Sequence, residues 1–222
     1  MSPPLSKADP LQQVLAQVNQ ESRNEDLTGL TEGDVRKLTM NLWAWASSVA
    51  PGMQDARVLI APEGESAPLQ RSVLEAVGPD MPFLVDSLLG ECAAAGHEVK
   101  ALFHPIVNME DGRCVSVIQI HLPLMTDAEA KKLTEGVRKT QDSTREVVSD
   151  FAPMKARMEA EIKGISHLKN HAEDDKRETI AFLEWLLEDH FVFLGCREYH
   201  FETDAKGKVL PEEPIMIEGS NL

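Results

Sequence analysis

The sequence has little positive charge and little cysteine. It carries 22 Lys and Arg residues against 37 Asp and Glu residues, which gives a formal net charge of −15. A surface that negative repels phosphate backbones and anionic lipid headgroups, so we expect neither nucleic acid nor a membrane surface as a partner. The three cysteines, Cys92, Cys114 and Cys196, include no C-x-x-C pair, which is typical of a reducing compartment.

Long apolar runs and the glycine-rich signatures of common enzymes are absent as well. No stretch is long enough to span a membrane, and the first residues lack the basic and apolar parts of a signal peptide. We therefore expect a cytoplasmic protein. The motifs G-x-G-x-x-G, G-x-x-x-x-G-K-S/T, H-E-x-x-H and G-x-S-x-G do not occur. We predict no catalytic residue, no metal site and no cofactor in this segment.

Hydrophobic residues make up 42% of the 222 residues, enough for a sizeable core. Helical spacing of apolar residues predicts helices over 10–20 and 31–48, the second capped by Thr31 with Asp34 three positions later. Pro51 and Gly52 end this second helix. We interpret residues 1–52 as an N-terminal helical segment.

The chain from residue 53 onward alternates between strand and helix patterns. A turn at 78–82 opens a helix, with Asp80 as its predicted cap and Pro82 in its first turn. Thr126 and Glu129 form a capping box for a long helix that Pro153 should kink or restart. The remaining predicted elements are a possible strand at 57–60, strands at 70–76, 99–107, 115–122 and 190–201, and a helix at 176–189.

This order predicts an α+β fold. From residue 69 it reads βαββαβ, the ferredoxin-like plan, with extra helices at the N-terminus and before the last strand. We assign residues 53–203 to this domain and 204–222 to the start of a linker or a further domain, which suggests a chain cut from a longer one. Helices cover one sheet face in this plan, so we expect the other face to be open to solvent, another sheet or a second subunit.

The turn between the first strand of this plan and its helix is the best candidate binding site. A strand end placed against a helix N-terminus offers unpaired N–H groups and a favourable dipole to a carboxylate. Asp80 or Asp86 could receive an amine, so the site suits a free amino acid. The candidate effector-binding residues are Asp80, Met81, Phe83 and Asp86. The alternative is a tight βα turn that only packs.

Histidines provide two weaker candidates. His104 and His121 lie on paired strands, and with Gln119 they are candidate interface residues on the open face, where two imidazoles pressed together would sense pH. His167 and His171 are four residues apart beside a run of carboxylates, a spacing that could hold a metal ion in a small stand-alone enzyme. A solvated polar loop explains the same pattern more simply.

Three strings together carry a family resemblance. They are DMPFLVDS from Asp80, HPIV from His104, and FLEWLLEDHFVFLGCREY from Phe182. In this order they resemble the N-terminal region of the large bacterial NAD-specific glutamate dehydrogenases, over a stretch that runs from about Leu38 to the end of the chain.

The resemblance implies more than the residues do. That family has its catalytic domain far toward the C-terminus and carries ACT-like βαββαβ modules at the front, which often bind amino acids or pair with one another. It implies NAD as the cofactor of the parent enzyme, and a non-catalytic regulatory or oligomerisation role for this segment, with other domains of the enzyme or a second copy as partners. Phe83 departs from the pattern, because many amino-acid-binding ACT domains have glycine at that place.

Overall fold

The computed structural model describes residues 9–22, 27–168 and 172–190, and beyond them 193, 195, 197–199, 201–203, 209–211 and 215–216. The chain divides into two units, residues 1–144 and 145–222. The helices are α1 (Pro10–Glu21), α2 (Glu32–Ala46), α3 (Leu84–Ala94), α4 (Asp127–Ser166) and α5 (Glu173–Trp185). The strands of the first unit are β1 (Asp55–Ile60), β2 (Ser72–Pro79), β3 (Ala101–Phe103), β4 (Ile106–Asn108) and β5 (Cys114–Leu122).

The five strands of the first unit form one antiparallel sheet. Its order is β1-β2-β5-β3, and β4 also pairs with β5. Phe103 lies opposite Gln119 and Ile106 lies opposite Ser116, so β3 and β4 share a single register along β5. They correspond to the single strand predicted at 99–107, which is interrupted at Pro105 because proline has no N–H for the ladder.

One face of the sheet packs against α3 and α4. The alternate residues Ile118, Ile120 and Leu122 of β5 point to this face and are 0–1% exposed. Leu84, Leu88 and Cys92 follow at four-residue steps along α3 and bury one stripe of that helix against the strands. This aliphatic core, which we call the α3/α4 face, is the one that the sequence pattern predicts.

The opposite face is covered by α1 and α2, so the prediction of an open face is wrong. Val14 and Val18 of α1 and Leu42 of α2 are buried in one cluster with Phe103 and Val117 of the sheet. Both helices precede the sheet in the chain, and their apolar stripes pack on the face that the βαββαβ plan leaves uncovered. We call this side the α1/α2 face.

The predicted α+β, ACT-like fold is confirmed, but the edge beside β2 is filled differently from the expected plan. β1, which precedes β2 in the chain, pairs with it antiparallel from Asp55↔Val77 to Ile60↔Ser72. The predicted strand at 190–201 does not take this place in the described residues. Leu186–His190 is a π-helical turn, and residues 191, 192, 194, 196 and 200 lie outside the described residues.

The capping motifs predicted for α2 and α4 are confirmed. Thr31 Oγ1 accepts from the Asp34 N–H at 3.0 Å, and Asp34 accepts from the Thr31 N–H at 2.9 Å. The other carboxylate oxygen of Asp34 accepts from the Glu65 N–H at 2.6 Å, which fastens the β1–β2 loop to the start of α2. These backbone donors, Thr31 first, lower the pKa of Asp34.

In its described residues, the second unit holds the end of α4, then α5 and four short strands. α4 continues through Pro153 as one helix, so of the two predicted outcomes the restart is wrong and the kink stays a prediction. Two two-stranded sheets follow, the first pairing β6 with β9 and the second pairing β7 with β8. Their strands are β6 (Arg197–Glu198), β7 (Phe201–Thr203), β8 (Val209–Pro211) and β9 (Ile215–Met216). The segment boundaries expected at 52 and 203 stay a prediction.

Candidate functional site

The turn after β2 places the four candidate effector residues on different surfaces. Asp80 is exposed, and its N–H donates to the Cys114 carbonyl at 3.1 Å, so this N–H is not available to a ligand. Met81 packs against the α3/α4 face. Asp86 is exposed in the first turn of α3. The turn itself therefore does not gather these side chains around one point.

Asp80 does not cap α3, so that prediction is wrong. Phe83 is the residue before the helix, with φ of 65° and no capping hydrogen bond from its side chain. This left-handed conformation favours glycine and costs other residues about 1–2 kcal/mol. Phe83 is 48% exposed, so its side chain lies at the surface and does not fill an internal site.

Asp80 instead borders a cavity on the α1/α2 face of the sheet. The cavity has a volume of about 380 Å³, at the lower end of the range for small-molecule sites. Its walls come from the end of α2, the segment after it, the end of β2 and the turn between β4 and β5. The lining residues are Trp43, Ala46, Ser47, Val49, Ala50, Pro51, Gly52, Met53, Val77, Gly78, Pro79, Asp80, Met109, Arg113, Cys114 and Val115.

The lining is mostly apolar but carries one carboxylate and one guanidinium. Asp80 lies opposite Cys114, the first residue of β5, which directly follows Arg113 in the chain. Arg113 donates from Nε and Nη2 to Asp111, each at 2.7 Å, and these bonds hold the pKa of Asp111 below its usual range. A guanidinium has five N–H donors, so Arg113 keeps capacity for a second acceptor. An ammonium and a carboxylate on one small ligand match this pair of charges.

His104 belongs to the neighbourhood of Asp80 rather than to an open face. It is half-buried, its Nε2 bonds the Ser116 hydroxyl, and its backbone N–H donates to Glu21 Oε2 at 2.8 Å. Burial lowers the pKa of His104, and the negative charge of Asp80 opposes this shift. The neutral imidazole is therefore the dominant form near pH 7.

A row of polar side chains lies on the sheet face that α2 covers, where the sequence predicts an open face carrying Gln119 and His121. Glu75 is fully buried and accepts from Arg57 Nε and Nη2 at 2.8 and 2.7 Å. Gln119 donates to the other Glu75 oxygen at 3.2 Å and contacts His121 Nε2 at 3.2 Å. Trp45 of α2 covers the Arg57 guanidinium at 4.4 Å. We call these four strand residues, Arg57, Glu75, Gln119 and His121, the buried polar row.

Burial is the largest cause of the pKa shifts of Glu75 and His121. It raises the pKa of Glu75, against the opposing effect of Arg57. It lowers the pKa of His121 to about 3, and Arg71 adds to this shift. Gln119 and His121 are 1% and 0% exposed, so neither is available at the surface of this fold. The predicted interface role of Gln119 and His121 depended on an open sheet face, and helices cover that face.

Sequence reasoning missed Arg57, Glu75 and Arg113. A signal was present for Glu75, which is the single charged residue in the apolar run from Val73 to Val77. A carboxylate in such a run needs a buried partner. The identity of that partner depends on the pairing of β1 with β2, which places Arg57 directly opposite Glu75. That pairing could not be inferred from local pattern.

The structure bears on the other candidates only through its described part. No group of three or more His, Cys, Asp and Glu side chains that could hold a metal ion occurs there. His167 is exposed, and His171 lies outside the described residues. Burial and then Glu91 raise the pKa of the Cys92 thiol to about 11. The helices of the described residues include none long and apolar enough to cross a membrane.

Comparison with known proteins identifies the family. Residues 14–160 match the family model described as "Glutamate dehydrogenase, ACT1 domain". The chain is 29% identical to an NAD-specific glutamate dehydrogenase of Halomonas elongata and 27% identical to one of Pseudomonas aeruginosa. The alignments cover 81% and 82% of this chain but only 12% and 13% of the relatives. Because the family model covers more than half of the chain, the chain belongs to the glutamate dehydrogenase ACT1-domain family.

Proposed function

We propose that this chain is a non-catalytic regulatory module of an NAD-dependent glutamate dehydrogenase. The full enzyme would convert L-glutamate, NAD and water into 2-oxoglutarate, ammonia and NADH, with NAD bound outside this segment. The family match and the names of the relatives support this role. Its partners would be other domains of the same enzyme or a second copy of the chain.

The regulatory ligand that fits best is a free amino acid. The observation that carries this proposal is the cavity of about 380 Å³ whose mostly apolar lining includes Asp80 and Arg113. The carboxylate of Asp80 suits an α-ammonium group, the Arg113 guanidinium suits an α-carboxylate, and Trp43, Met53 and Met109 suit an apolar side chain. A ligand changes the enzyme's state only by binding one arrangement more tightly than another.

The test is a thermal-shift screen of the chain against the twenty amino acids. A ligand at ten times its dissociation constant adds about 1.4 kcal/mol to the free energy of unfolding, which raises the melting temperature of a chain this size by about 3 °C. We expect one or a few amino acids to do this. Asp86→Asn is the matched control for Asp80→Asn, since Asp86 is also exposed but does not line the cavity.

The two charges can be tested separately. Asp80→Asn should abolish the shift with the amino acid but spare that of the corresponding 2-oxo acid, which has no ammonium group. Arg113→Gln should abolish both shifts. Asp111→Asn should strengthen binding, because Asp111 now occupies two donors of Arg113. If no amino acid shifts the melting temperature, or if the Asp86 and Asp80 variants respond alike, this cavity is not the effector site.

A further inference from the structure

The outer edge of β4 carries backbone groups that point away from the sheet. Val117 donates its N–H to the Pro105 carbonyl, and Met109 donates to the Arg113 carbonyl. The backbone N–H and C=O groups of residues 105, 107 and 109 are therefore directed toward β5. Those of the alternate residues His104, Ile106 and Asn108 are directed away from the sheet. An edge of this kind is a template for an added β-strand unless something occupies it.

Side chains of α1 occupy these outward positions. Gln17 accepts from the Ile106 N–H at 2.9 Å and donates to the Ile106 carbonyl at 2.8 Å. Gln13 makes the same pair of bonds with Asn108, accepting at 3.0 Å and donating at 3.2 Å. Each carboxamide thus presents one acceptor and one donor to one residue, as the backbone of a neighbouring strand would.

The spacing of these side chains matches the spacing of the strand. Gln13, Gln17 and Glu21 are four residues apart on α1, a rise of about 6 Å per step. Alternate residues of a strand are about 6.6 Å apart. Glu21 completes the series by accepting from the His104 N–H at 2.8 Å. The helix therefore follows β4 in the antiparallel direction, and we call these three side chains the α1 ladder.

The same helix covers the apolar surface beside the edge. Val14 and Val18 of α1 are 0% and 2% exposed and belong to the cluster that contains Phe103 and Val107. The segment from His104 to Asn108 carries no acidic or basic side chain apart from His104, so charge does not protect it from pairing. Without α1, an uncharged edge and an apolar strip would both be exposed.

We propose that α1 is a strand-mimicking guard that closes the β4 edge to a second copy of this chain, and that displacing α1 opens the edge to antiparallel β4–β4 pairing between two copies. The second copy is the occupant that the edge suits best, because each copy brings the same uncharged edge and the same bared apolar strip. This inference does not depend on amino-acid binding in the cavity near Asp80.

The test weakens the docking of α1 on the β4 edge by removing the ladder, while the segment itself stays helical. Gln13→Ala with Gln17→Ala removes four edge bonds, and alanine preserves helix propensity. Gln12→Ala with Gln20→Ala is the matched control, because both glutamines are exposed on the same helix. We expect hydrogen exchange of the Ile106 and Asn108 amides to become about tenfold faster or more in the ladder variant only, while the β5 amides of Ile118 and Ile120 stay protected in both variants.

Self-association is the second readout. Sedimentation velocity over a range of concentrations should reveal a dimerisation step in the ladder variant that neither the wild type nor the control has. Adding Asn108→Lys to the ladder variant places a charge on the exposed edge and should abolish that step. Unchanged exchange at the two amides would overturn the guard, and a ladder variant that associates no more than the control would overturn pairing with a second copy.

Discussion

The two faces of the central sheet are buried to a similar degree but are built from different chemistry. The α3/α4 face is an aliphatic core in which Leu84, Leu88 and Cys92 meet alternate residues of β2 and β5. The α1/α2 face holds a comparable apolar cluster around Phe103 and Val117, and beside it the buried polar row.

The difference teaches that polar alternation in a strand does not by itself mean a solvated face. Gln119 and His121 alternate with isoleucines along β5, which is the pattern of a half-exposed strand. They are buried because each has a partner within the row. Gln119 donates to Glu75 and bonds His121, and these hydrogen bonds offset part of the cost of removing the two side chains from water. The following predictions test that difference.

The largest effect is expected on the aliphatic face. Leu88→Ala should lower the free energy of unfolding by about 2–5 kcal/mol, because Leu88 is 0% exposed and its removal leaves a cavity. Leu89→Ala, on the neighbouring and less buried position of α3, should cost clearly less. Urea unfolding of both variants measures the difference, and equal losses would argue against a tightly packed α3/α4 face.

The polar row should be sensitive to loss of one partner. Arg57→Met leaves Glu75 buried without its cation and should cost about 2–3 kcal/mol at pH 7, less than a fully buried pair because the Arg57 side chain is 31% exposed. The double variant Arg57→Met with Glu75→Met should regain most of this loss. Urea unfolding of the single and double variants gives the coupling; a double variant as unstable as the single one would show that the pair matters only for packing.

The row should also make stability depend on pH. The pKa of His121 is lowered to about 3 in the folded chain, against about 6.5 when unfolded. Its stabilising contribution is complete above pH 6.5 and is lost as the pH falls toward 3, since the unfolded state binds the proton first. Between pH 6.5 and 5 the loss from this group is about 2 kcal/mol.

His121→Leu isolates this contribution. The free energy of unfolding of the wild type should fall by about 2 kcal/mol more than that of the variant over the same pH range. The contribution of Glu75 is present in both proteins and cancels in the difference between them. Its raised pKa acts in the opposite direction, since it stabilises the fold as the pH falls. Parallel pH profiles for the two proteins would mean that His121 takes up a proton in the folded state.

The smallest effect is expected at the turn into α3. Phe83→Gly should raise the free energy of unfolding by about 0.5 kcal/mol, because relief of about 1–2 kcal/mol of left-handed strain exceeds the entropy cost of glycine. Phe83→Ala removes the same exposed ring but keeps the strain, so it should give no gain. A melting temperature that rises equally in both variants would point to the ring and not to the backbone.

Local sequence signals predicted part of the structure around the cavity, while the effector role of its residues stays a prediction. The strand and turn before α3 were found, and Asp80 does border a cavity. Met81, Phe83 and Asp86 were grouped with it only because they are neighbours in the chain. Arg113 and Trp43 line the same cavity from distant positions. Pattern reasoning missed them because nothing local to either residue indicates the other.

The sequence by itself determined the elements that depend on local physics, namely the capping boxes at Thr31 and Thr126 and the apolar stripe of α3, and it also carried the family resemblance. Tertiary structure alone decided that β1 completes the sheet, that α1 and α2 cover its second face, and that Gln13 and Gln17 close the β4 edge. The physical reason is that capping and periodicity act within a few residues. Burial, pKa shifts and the pairing of sheet edges depend on which distant segments of the chain pack at a site and exclude water from it.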